Sequence, residues 1–167
     1  MVYIISPITP KDAQEISTWT YDPPYDLYSM SSEDIPGYLR IEFRYHVVQD
    51  ENIDLVGYCC FGVDARVPGG DYTRGEPEIL DLGIGMRPDL TGKGFGKDFV
   101  KEILAFAYQA FHPSTFRVTI AAFNQRSLRT FQGLGFKETH QFTRDLVKIN
   151  FVQLERPVGN NISNNTL

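Results

Sequence analysis

The residues with the most evident chemistry run from Met86 to Lys97: Met-Arg-Pro-Asp-Leu-Thr-Gly-Lys-Gly-Phe-Gly-Lys. An apolar run ends there, a glycine-rich turn follows, and a long amphipathic pattern begins. Gly92, Gly94 and Gly96 allow a tight turn and leave backbone amides bare. Those amides stand at a helix N-terminus, where the dipole favours an anion. The implied chemistry is phosphate or pyrophosphate binding by main chain. Two familiar phosphate patterns do not fit. A Walker loop needs Ser or Thr after Gly-Lys, but Asp98 follows Gly96-Lys97, and Thr91 stands where its first glycine belongs. A dinucleotide turn needs Gly-x-Gly-x-x-Gly, and Gly96 comes one residue early.

A second element lies downstream. Asn124-Gln125-Arg126-Ser127-Leu128-Arg129-Thr130-Phe131-Gln132-Gly133-Leu134-Gly135-Phe136 opens a helix after a strand. Asn124 suits the N-cap, and its side chain could equally bond a ligand amide.

These two elements resemble the GNAT superfamily of N-acetyltransferases. That family's pyrophosphate loop reads Gln/Arg-x-x-Gly-x-Gly/Ala, and Thr91-Gly92-Lys93-Gly94-Phe95-Gly96 matches it with Thr91 in place of Gln or Arg. Its later element reads Asn, an aromatic residue seven positions on, then Leu-Gly-Phe, as at Asn124, Phe131 and Leu134-Gly135-Phe136. The flavour is nearest the branch containing ribosomal-protein alanine acetyltransferases.

The resemblance implies an α/β fold: a mixed, mostly antiparallel central sheet of about seven strands, flanked by helices and splayed at the cofactor site. It implies acetyl-CoA as cosubstrate, with no metal. The pantetheine arm would pair with Ile84, Gly85 and Met86. Amides from Thr91 through Gly92, Lys93, Gly94, Phe95, Gly96 and Lys97 would take the pyrophosphate, and Asn124, Ser127 and Phe131 would complete the cofactor site. An amide near Met86 would polarise the thioester carbonyl. The acceptor would be a primary amine of a small molecule or protein N-terminus, attacking directly while both substrates are bound. A non-catalytic acetyl-CoA-binding module is the alternative.

An amine of pKa near 10 is mostly protonated at pH 7, so a group must accept its proton. Asp81 and Glu78 are the candidate bases. Strand alternation sets them on opposite faces, so one of them at most reaches the cleft. Phe131 stands where many relatives have Tyr to protonate the leaving thiolate, and Phe cannot donate. Trp19, Tyr21, Tyr25 and Tyr28 form a Pro-broken aromatic segment read as an acceptor wall; rings of this size also serve simply to bury area. His46, His112 and His140 show no metal spacing and receive no role.

The elements that would position these groups follow from periodicity. Strands are predicted at 2–5, 44–49, 55–63, 79–86, 116–121, 137–144 and 147–156. Leu80, Leu82, Ile84 and Met86 share one strand face. Thr9-Pro10-Lys11-Asp12 starts a helix, Ser31 or Ser32 caps a short one, and Asp50-Glu51-Asn52 turns a hairpin. Residues 97–111 and 125–134 are helices, ended by His112-Pro113 and Gly135.

The chain has 167 residues, enough for one domain, read as 1–157 with a disordered polar tail at 158–167. A net charge of −5 argues against nucleic acid and suits a cationic substrate. No apolar run spans a bilayer and no basic leader is visible, so a cytoplasmic protein without membrane contact is expected, with room for a homodimer. Adjacent Cys59 and Cys60 read as two thiols in a strand rather than a disulfide. Two glycosylation-like triplets in the Asn-rich end, Asn161-Ile162-Ser163 and Asn164-Asn165-Thr166, read as chance matches.

Overall fold

Strand β1 (Ile4–Pro7) leads to helix α1 (Pro10–Ile16), whose start is fixed by a reciprocal cap. The Asp12 amide donates to Thr9 Oγ1 at 3.3 Å, and the Thr9 amide donates to the Asp12 carboxylate at 2.9 Å. A computed structural model describes residues 2–74 and 78–159. The tail from 160 on, with its two Asn triplets, lies outside the described residues.

The remaining elements are α2 (Ile35–Tyr38), β2 (His46–Gln49), β3 (Leu55–Phe61), β4 (Ile79–Met86), α3 (Gly96–Phe111), β5 (Thr115–Ala121), α4 (Gln125–Gly133), β6 (Lys137–Arg144) and β7 (Ile149–Pro157). Two predicted strands are shorter than periodicity implied. β2 starts at His46 because Arg44 closes a 3-10 turn in the left-handed region at φ 51°. β3 stops at Phe61 because Gly62, at φ 93°, swings the chain into the turn Val63–Ala65. Ser31 caps the 3-10 turn Ser32–Asp34.

The strands form one sheet in the order β1-β2-β3-β4-β5-β7-β6. Every pairing is antiparallel except β4 with β5. That parallel pairing is short: Ile79, Leu80 and Asp81 face Thr115, Phe116 and Arg117. Beyond it β4 stays with β3 and β5 stays with β7, so the sheet splits into a fork.

At the crotch of the fork Arg117, fully buried, holds Asp81 in a two-point ion pair of 2.6 and 2.9 Å. Arg66 adds a third contact at 2.9 Å. This is a correction to the sequence reading of Asp81 as a base: its carboxylate is 2 % exposed and engaged by two guanidinium groups.

Two cores flank the sheet. α3 and α4 cover one face through Phe99, Val100, Ile103, Leu128 and Phe131 against Leu80, Leu82 and Val118. The other face carries Ala13, Ile16, Trp19, Tyr38, Val47 and Tyr58. Cys59 and Cys60 are free and buried, on opposite faces of β3. Burial pushes both thiols up, Cys60 to about 12. Among the described residues no helix is long and apolar enough to cross a membrane.

Asp81→Ala leaves Arg117 buried without its counter-ion. We expect unfolding stability to fall by about 3–5 kcal/mol, seen as a lower denaturant midpoint. Removing both charges with Asp81→Leu and Arg117→Met should cost much less.

Candidate functional site

The fork decides which backbone groups are open. In the antiparallel β3–β4 ladder the Gly62 amide donates to the Asp81 carbonyl at 3.0 Å and the Arg87 amide to Val56 at 2.9 Å. Odd-numbered β4 residues therefore turn their polar groups to β3, while Leu82, Ile84 and Met86 turn theirs toward the gap. The Met86 carbonyl accepts a hydrogen bond from the Tyr21 hydroxyl there, at 2.6 Å.

After β4 the chain makes a 3-10 turn at Pro88–Leu90, closed by Thr91 Oγ1 donating to the Pro88 carbonyl at 2.8 Å. Gly92 and Gly94 follow with φ of 72° and 88°, angles that side chains resist. A Cβ on Gly92 would stand 2.9 Å from an Arg126 guanidinium nitrogen, whereas one on Gly94 would meet nothing within 4 Å. Room for Gly94 is thus left on the outer side of the turn, where a ligand would pass. α3 then begins without a side-chain cap, which leaves its first-turn amides open to an anion.

α4 closes the far side. Asn124 Oδ1 accepts from the Ser127 amide at 3.1 Å, so it is the N-cap, and Asn124 Nδ2 donates to the Tyr28 hydroxyl at 3.4 Å. The Arg126 guanidinium lies 3.9 Å from the centre of the Tyr25 ring. Phe131 is 1 % exposed and packs edge-on against Phe136 at 5.1 Å.

Together these elements enclose a cleft of about 560 Å3. Of the residues singled out from sequence, Ile84, Gly85, Met86, Thr91, Gly92, Gly94, Gly96, Lys97, Asn124, Ser127 and Phe131 line it, as do Tyr21, Tyr25 and Tyr28. Lys93 and Phe95 do not. Trp19 does not line it either: it is buried in the second core, 6.2 Å from the Tyr58 ring.

Glu78 sits at the foot of β4, where its carbonyl accepts from the Ser114 amide at 3.0 Å. Six residues of strand separate it from Ile84, roughly 20 Å. Neither predicted carboxylate reaches the cleft, and the base assignments to Asp81 and Glu78 give way.

Sequence reasoning passed over Arg126, Arg129, Thr130 and Tyr58, which also line the cleft. Arg126 and Arg129 stand three apart after the Asn124 cap, a spacing that sets both on one helix face and could have revealed them. It also missed a second, smaller cavity of about 350 Å3 beside Met30, Tyr38 and Tyr45, bordered by Glu33, Asp34 and Asp64. The Tyr45 hydroxyl bonds the Asp64 carboxylate. Burial pushes the Tyr21 hydroxyl up to about 12 and raises Tyr28, so both stay protonated at neutral pH. Among the described residues no group of His, Cys, Asp and Glu could hold a metal ion.

A forked mixed sheet with a glycine turn and an uncapped helix at its mouth is an architecture suited to an extended, anionic ligand. The chain matches the acetyltransferase (GNAT) domain over residues 3–137 and belongs to that family. No curated protein matches it by sequence. An aminoglycoside acetyltransferase, AAC(6')-Ib, in complex with coenzyme A, superposes with a TM-score of 0.75 at 15 % identity, covering 96 % of each chain. A chimera of spermidine N-acetyltransferase SpeG from Vibrio cholerae and hSSAT superposes with a TM-score of 0.71 at 16 % identity, over 93 % of this chain and 95 % of that one. A GNAT-family acetyltransferase from Bacillus anthracis gives 0.70 at 15 %, over 93 % and 94 %. At such identities the likeness is one of fold.

Gly94→Glu puts bulk and negative charge on the open side of the turn. Calorimetry with coenzyme A should show affinity lowered at least tenfold in the folded variant. Unchanged affinity would remove the turn from the binding site.

Proposed function

We propose that this chain transfers the acetyl group of acetyl-CoA to a primary amine of a small molecule or protein N-terminus, by direct attack with both substrates bound. The observation that carries this reading is the row of gap-facing backbone groups at Ile84 and Met86, leading straight to the glycine turn and the uncapped start of α3. Such an edge pairs with an amide-bearing pantetheine arm as with an added strand. The amides from Gly92 to Lys97 take the pyrophosphate, helped by the positive charges of Arg126 and Arg129. In this reading the gap-facing Met86 amide donates to the thioester carbonyl and stabilises its developing negative charge.

The acceptor reading rests on charge. The second cavity, with Glu33, Asp34 and Asp64 at its border and aromatic Tyr38 and Tyr45 in its wall, favours a cation. Two of the structural neighbours are named for acetylating spermidine and aminoglycosides, both rich in amino groups. We therefore place a second positive group of the acceptor toward this cavity. No carboxylate lines the main cleft among the described residues, so the proton of the attacking amine leaves through hydroxyls or water.

Phe131 favours a second reading, a module that binds acetyl-CoA without turnover. The two separate when purified protein, acetyl-CoA and a panel of mono-, di- and polyamines and peptide N-termini are mixed and released thiol is measured. Turnover highest with polyvalent amines supports the enzyme, and cofactor binding with no thiol from any amine supports the module. We further expect kcat/KM to rise from pH 7 toward the acceptor's own pKa near 10, as the free amine accumulates. Tyr21, held at about 12, imposes no falling limb in that range. Glu78→Gln should leave the profile unmoved.

A further inference from the structure

Residues 19–30 form a closed loop laid across the fork. Its base is tied where the Met30 amide donates to the Trp19 carbonyl at 3.0 Å and the Tyr21 amide donates to Ser29 Oγ at 2.9 Å. Trp19 roots that base in the second core. The far end, a 3-10 turn at Tyr25–Tyr28, rests on the start of α4 and the residues before it. The Tyr25 and Tyr28 rings lie 5.9 and 6.2 Å from the Phe123 ring, Tyr28 meets Asn124, and Arg126 stacks on Tyr25. Near the base, the Tyr21 hydroxyl reaches the end of β4 at Met86. One compact loop with its ends together thus grips both arms of the fork and straps the gap between them.

The contact at Met86 uses a group that a bound ligand would need. The Met86 carbonyl faces the gap, on a strand edge without a neighbour, and such a carbonyl calls for a donor. Tyr21 supplies it at 2.6 Å, and burial pushes that hydroxyl up to about 12, so it remains a donor at neutral pH. The pantetheine arm carries a rival donor. With its thioester carbonyl on the Met86 amide and its pyrophosphate at the glycine turn, the arm runs parallel to β4. In a parallel ladder one residue receives a carbonyl on its N–H and the next same-facing N–H on its own carbonyl. The first amide N–H of the arm is as many bonds from the thioester carbonyl as those two groups are in a peptide. It therefore falls on the Met86 carbonyl, where the Tyr21 hydroxyl already stands.

We propose that Tyr21 is a latch: its hydroxyl holds the Met86 carbonyl in place of the pantetheine arm, and cofactor binding must displace it. This rests on the acetyl-CoA reading above. Phosphates alone reach the glycine turn with the strap still latched. Coenzyme A exchanges the Tyr21 hydrogen bond for its own, so the net gain from that contact is small and the spent cofactor leaves readily. As the arm leaves, the hydroxyl returns and the carbonyl is not stranded.

The test uses Tyr21→Phe, which keeps the ring, in the full chain. The probes are coenzyme A and 3'-phosphoadenosine 5'-diphosphate, which keeps the pyrophosphate but lacks the arm. Calorimetry should show coenzyme A bound about fivefold more tightly by the variant, the worth of one hydrogen bond that no longer has to be displaced. The diphosphate should bind both proteins equally. A variant that binds the diphosphate as the wild type does, but coenzyme A equally or more weakly, overturns the latch and leaves the cofactor reading intact. An equal gain for both ligands also overturns it, because the arm then has no part in the effect. Wild-type protein that binds neither ligand overturns the cofactor reading and the latch with it.

Discussion

The molecule is organised around one buried ion pair. Asp81 and Arg117 are register partners on β4 and β5, and they meet at the last position where those strands run side by side. Past them each strand follows a different neighbour, and the sheet opens. A buried pair is costly to desolvate, and its usual return is specificity of arrangement rather than net stability. Here it ties the two halves of the sheet at a defined point. Arg66 and the Asp71 carbonyl satisfy further lone pairs and protons of the pair. The open edge at Ile84 and at the Met86 amide exists because the pairing ends where the ion pair sits, while the Met86 carbonyl is taken by Tyr21.

The walls of the cleft are made as much by missing side chains as by present ones. Gly57 gives up its place to the Phe99 ring, which would lie 2.4 Å from a Cβ there, and Gly83 does the same for the Cys60 sulfur at 2.8 Å. Gly85 admits Tyr58 in the same way. Glycines on β3 and β4 thus let the rings of Phe99 and Tyr58, one from each core, close on the two strands without filling the gap beside them.

Much of this was legible in one sequence. Element order followed from periodicity, and the turn at Gly92 to Gly96 and the helix after Asn124 carried their own local signals. What failed depended on distant partners. Asp81 alternates on its strand like any half-buried residue, and nothing near it in sequence announces Arg117, 36 positions on. Trp19 and Tyr21 look alike in a Pro-broken segment, yet one enters the core and the other reaches Met86. Tyr58 lies in an unbroken apolar run, where an aromatic residue reads as core; only the glycine opposite reveals that its hydroxyl is directed across the strand. Glu33, Asp34 and Asp64 converge through tertiary packing, so no spacing rule could join them.

The paired sulfurs of β3 have a practical corollary. Cys59 and Cys60 are 0 % and 3 % exposed, and burial keeps both protonated. Since the thiolate is the nucleophile, chromogenic disulfide reagents and maleimide dyes should find almost nothing to label on the native protein. Any colour that develops reports coenzyme A, and slow labelling of the polypeptide would instead time the opening of its central strands.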